Sequence, residues 1–170
     1  GELGTGKSCV IQYISNYSPN REIISFTVRI ATGFSVEGLH VSLYSSMARQ
    51  IMQWLSEHGS RDPLEPTQDG CIIGLLSIND IRPKNSGFII FVEDLHKISK
   101  VNIVFDFLRM FQPLQESLKD AGIDISFIVS GVPSWKEKII SNPFLTSVFS
   151  TTDIIEIGDV TPEIATKAIM

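Results

Sequence analysis

Along the chain, segments whose apolar residues recur at helical spacing alternate with short, almost wholly apolar runs. Residues 87–92 form such a run, Gly-Phe-Ile-Ile-Phe-Val, closed at once by Glu93 and Asp94. A stretch with no polar face is what a strand buried on both sides of a parallel sheet requires. Residues 23–29, dense in β-branched and aromatic side chains, predict a second strand, and 123–130 and 153–157 predict two more. Between them Val10, Ile11 and Ile14 share one face of a helix over 7–17. Leu43, Met47, Ile51 and Leu55 recur at four-residue steps, predicting a helix over 41–55 that ends near Gly59.

Phe107, Phe111, Leu114 and Leu118 give a further helix between 102 and 120, with Pro113 kinking it or starting its second half and Gly122 ending it. A short helix is expected over 134–142. Another opens near Thr161, where Thr161, Pro162 and Glu163 fit an N-cap, a first-turn proline and an acidic first turn. Residues 59–86 read as irregular: Pro63, Pro66 and Pro83 punctuate them. Ile72, Leu75, Leu76 and Asn79 allow only a short helix there, weakened by Gly70 and Gly74. Helices alternating with strands imply βαβ units and a largely parallel sheet.

Length and charge narrow the class. A chain of 170 residues matches about one domain. With 43% hydrophobic residues and a net charge of −5, neither a disordered tail nor a wholly basic nucleic-acid coat fits. No apolar run reaches the roughly 18 residues a membrane helix needs, so no membrane association is expected. Two cysteines, Cys9 and Cys71, are too few and too far apart for a disulfide framework or zinc knuckle, which suits a reducing compartment, cytoplasmic or nuclear. No signal peptide is visible.

The chemistry begins at residue 1. Gly1-Glu2-Leu3-Gly4-Thr5-Gly6-Lys7-Ser8 fits the phosphate-binding pattern G-x-x-x-x-G-K-[ST], which a given window matches by chance at about 4 × 10⁻⁵. Glycines let the backbone curl so that its N–H groups face phosphate oxygens, and the helix after them adds the positive end of its dipole. The expected nucleotide-binding residues are Gly1, Gly4, Thr5, Gly6, Lys7, Ser8 and Cys9. Lys7 is expected to reach the β- and γ-phosphates, and Ser8 to ligate Mg²⁺ through its hydroxyl. Such a loop needs carboxylates at the tip of another strand, to hold magnesium and to polarise the attacking water. Glu93 and Asp94 stand at that point, in the order opposite to the usual Asp then Glu.

The phosphate-binding loop, the tetrapeptide Glu93-Asp94-Leu95-His96 after a buried run, and the segment 127–133 (Phe-Ile-Val-Ser-Gly-Val-Pro) together resemble the AAA-related P-loop ATPases. Within these the chain is most similar to the STAND signalling ATPases, including NACHT-type modules, and to origin-recognition-like AAA ATPases. The resemblance implies a three-layer α/β/α P-loop NTPase with a mostly parallel sheet in the order 5-1-4-3-2. On that basis residues 1–170 are expected to be a partial ATPase domain, missing the strand before the loop and the lid and effector domains after it. It also implies a polar sensor at Ser130, and ATP with Mg²⁺ as ligands. The function implied is ATP binding with Mg-dependent hydrolysis by a nucleotide-controlled switch, with Asp94, Glu93, Lys7 and Ser130 catalytic and Ser8 and Glu93 on the metal. Partners would be further domains of the same chain, self-assembly or other proteins, with nucleic acid reached only through absent domains. Two alternatives stand beside it: a DNA-associated AAA ATPase of origin-recognition or transposition type, and a nucleotide-binding module with weak or no hydrolysis.

Residues 131–157 depart from the family pattern in holding no arginine to act as a finger; Lys136 and Lys138 are the cations there. Arg29 sits at a strand end from which it could influence the acids, though a solvent-exposed charge is its plainer reading. His96 reads as a surface residue on the first turn of a helix, with contact to substrate or γ-phosphate as the alternative. His40 and His58 have no acid or cysteine at ligand spacing. Phe105, Phe107 and Phe111 match a core stripe.

Overall fold

The structure, a computed structural model, describes residues 9–10, 13, 23–30, 35–60, 62–82, 87–98, 100–132, 134–143 and 146. Gly1, Gly4, Thr5, Gly6, Lys7 and Ser8, the strand expected over 153–157 and the helix expected near Thr161 lie outside them. Cys9, Val10 and Tyr13 are helical and exposed.

Three strands, β1 (Ile23–Arg29), β2 (Gly87–Glu93) and β3 (Ile125–Val129), form a parallel sheet in the order β1-β2-β3. Among the described residues, helices with complete ranges accompany them: α1 (Val36–Glu57), α2 (Gln68–Ile81), α3 (Val101–Arg109), α4 (Phe111–Asp120) and α5 (Ser134–Ile140). The described residues therefore form a mixed α/β unit around a small parallel sheet. Among them no helix is long and apolar enough to cross a membrane.

Register explains the core. Ile24, Phe88 and Ile125 lie side by side, as do Phe26, Ile90 and Phe127, and Val28, Val92 and Val129. Alternate residues of a strand face opposite ways, so these three rows share one face. That face packs into one cluster with Leu43, Met47 and Ile51 of α1, Leu75 and Ile78 of α2, Phe107 of α3, and Leu114 and Leu118 of α4. The opposite face carries Ser25, Ile89 and Ser126, then Thr27, Phe91 and Ile128, and at the tip Arg29 beside Glu93.

At its flank, β1 is closed by a side chain. The Thr27 N–H donates to Gln50 Oε1 at 2.9 Å, and Gln50 Nε2 donates to the Thr27 carbonyl at 2.8 Å. A glutamine on α1 thus satisfies both outward-facing backbone groups of Thr27 in the middle of β1.

Helix ends follow local chemistry. Ser35 caps α1 through the Gly38 N–H at 3.2 Å, so that helix starts five residues earlier than periodicity suggests. At the other end the Gly59 N–H donates to the Ser56 carbonyl and the Ser60 N–H to that of Leu55, with Gly59 at φ 94°. Gly122, at φ 74°, closes α4 in the same way, through Lys119 and Leu118.

Within 59–86 the helix is longer and firmer than the expected short, weakened one. Gln68 to Ile81 is one continuous helix of 14 residues, capped by the Thr67 hydroxyl on the Gly70 N–H at 3.1 Å. Its glycines mark close approach rather than weakness: a Cβ at Gly70 would overlap the carbonyl oxygen of Glu65. One at Gly74 would lie 2.5 Å from Ile51 Cγ2 and 2.6 Å from Leu64 Cδ1. The expected helix over 102–120 is two, divided at Met110; Pro113 lies in the first turn of α4 and, lacking an N–H, gives the Arg109 carbonyl no helical partner.

Candidate functional site

The carboxyl ends of the three strands are laced together. The Ile30 N–H donates to the Glu93 carbonyl at 3.0 Å, the Ser130 N–H to that of Val92 at 2.8 Å, and the Leu95 N–H to that of Ser130 at 2.9 Å. Glu93, Asp94 and Ser130 are thereby brought to one end of the sheet, where open α/β sheets bind ligands.

Glu93 is 4% exposed. It tolerates burial because Arg29, its register partner on β1, places Nε at 2.9 Å and Nη2 at 2.8 Å from Oε2. The Arg29 side chain is 66% exposed, as expected of a strand-end charge, and it also engages the acid: the guanidinium stays in water while its donors cover Glu93. Hydrogen bonding to Glu93, and then the charge of Glu93, push the Arg29 pKa above its ordinary value; desolvation opposes them and Asp94 adds a smaller attraction.

Asp94 adopts the left-handed conformation, φ 65° and ψ 35°, the sole non-glycine with positive φ among the described residues. The turn lets its carboxylate accept from Lys97 Nζ at 2.8 Å while its N–H reaches Ser130 Oγ at 3.4 Å. No motif marks Lys97; its spacing of three from Asp94 is the one sequence signal of the pair. His96 lies on a single 3₁₀ turn, Leu95–Lys97; the residue is half-buried, and its Nδ1 is buried with no hydrogen-bond partner.

Carboxylates are hard oxygen donors, so Glu93 and Asp94 suit Mg²⁺ by type, but each is already engaged with a cationic side chain. Among the described residues no three His, Cys, Asp or Glu side chains are grouped to hold a metal ion. His58 stacks on Trp54 with ring centroids 3.6 Å apart, and its Nδ1 lies 2.8 Å from the Trp54 carbonyl oxygen. Phe107 and Phe111 are buried and Phe105 packs against the same core, as their spacing suggests. Comparison with models of known protein families, with curated proteins and with solved structures finds no match to this chain.

Proposed function

We propose that the chain binds ATP with Mg²⁺ through residues 1–8 and the tip of β2, as a nucleotide-controlled switch of the STAND or AAA kind whose turnover is slow. The observation that carries this is the pairing of a phosphate-loop sequence with a central buried strand that ends in Glu93 and Asp94 beside Ser130. In support, β1-β2-β3 with the acidic strand in the middle corresponds to the 4-3-2 portion of the expected 5-1-4-3-2 order.

In this reading Gly1, Gly4, Thr5 and Gly6 present backbone N–H groups to the phosphates, Cys9 continues the helix behind them, and Lys7 neutralises phosphate charge. Ser8 and Glu93 would hold the magnesium, which would offset the negative charge of the phosphates. Asp94 orients the attacking water, and Ser130 sets the position of Asp94 through its backbone N–H. Slow or absent hydrolysis is favoured by a specific feature: Arg29 holds Glu93 and Lys97 holds Asp94, so both acids must exchange partners before either acts.

The test is calorimetric titration of ATP with Mg²⁺ into the wild type and Lys7→Ala, together with steady-state ATPase rates for the wild type, Lys7→Ala and Asp94→Asn. Loss of a charged contact should weaken ATP binding by about tenfold or more in Lys7→Ala. Asp94→Asn should keep ATP affinity and lose turnover. Equal ATP affinity in wild type and Lys7→Ala overturns the proposal; equal residual rates in all three leave a binding module without hydrolysis.

A further inference from the structure

We draw no further inference here: the strongest candidate, the open groove along the first turns of α1 lined by Ser35, Glu37, Gly38, Val41, Ser42 and Ser45, is a helix face on which nothing in the structure shows what sits.

Discussion

Arg29 and Glu93 occupy paired positions on β1 and β2, and two guanidinium donors of the one meet a single carboxylate oxygen of the other. The pair is lopsided, since Glu93 is buried and Arg29 is largely in water. Removing the arginine strands a buried charge, whereas removing the acid returns an exposed cation to solvent. Arg29→Met should therefore cost about 1–3 kcal/mol, a figure already reduced for the exposure of the guanidinium, and Glu93→Gln distinctly less. Urea denaturation at pH 7 measures both, and a neutral Arg29→Met would show that the pair does not shield the acid.

The left-handed backbone at Asp94 makes a separate prediction. Asparagine tolerates that conformation nearly as well as aspartate, and a β-branched residue does not. Asp94→Asn should stay within about 0.5 kcal/mol of wild type, while Asp94→Val should lose about 1–2 kcal/mol. Chemical denaturation of the two variants side by side decides it; similar stabilities would mean that the turn relaxes without effort.

Helix propensity alone predicts that alanine at either glycine of α2 should stabilise the protein by about 1 kcal/mol. The packing predicts otherwise. Gly70 faces a backbone carbonyl that cannot retreat, so Gly70→Ala should destabilise by about 1–3 kcal/mol net. Gly74 faces the ends of two aliphatic side chains, and Gly74→Ala should fall within about 1 kcal/mol of wild type. Denaturant midpoints for the two variants check the order.

Burial pushes the Cys71 thiol from 9.0 up to about 12 and the Tyr44 hydroxyl from 10.0 up to about 12. Below pH 9 both groups keep their protons whether the chain is folded or not, and their contribution to stability is complete. As the pH rises from about 9 towards 12 the unfolded chain releases protons that the folded one retains. Stability then falls by up to about 1.4 kcal/mol per pH unit for each group. Cys71→Ala should flatten the first part of that fall, seen in unfolding free energies between pH 8 and 11. A thiol reagent at pH 8 should modify exposed Cys9 and spare Cys71.

Elements whose signal is local were legible in the sequence. β1 has the expected bounds of 23–29, and β2 announced itself because a buried strand has no polar face to interrupt it. Helix α2 was obscured because the penalty on Gly70 and Gly74 is intrinsic to the chain, while the contacts that require them come from Glu65, Ile51 and Leu64. The same division holds at the site. Glu93, Asp94 and Ser130 were visible from their place after apolar runs. The grip of Arg29 on Glu93 depends on register across 64 residues, and the lost partner of His96 Nδ1 depends on burial; neither is written in spacing. The loop residues Gly1 to Ser8 fall outside the described part of the chain, and their roles stand on sequence.

The amide of Gln50 gives the sheet a direction of growth. A strand from another molecule that approached the β1 flank would find the middle of that flank already bonded and would first have to displace a side chain held at 2.8 and 2.9 Å. Among the described residues β3 pairs with β2 alone, so its far side presents backbone groups without such a plug. Extension of the sheet, whether by other segments of the same polypeptide or by a neighbour in a crowded solution, is steered to the β3 side. One glutamine thereby makes the two rims of the sheet chemically unequal.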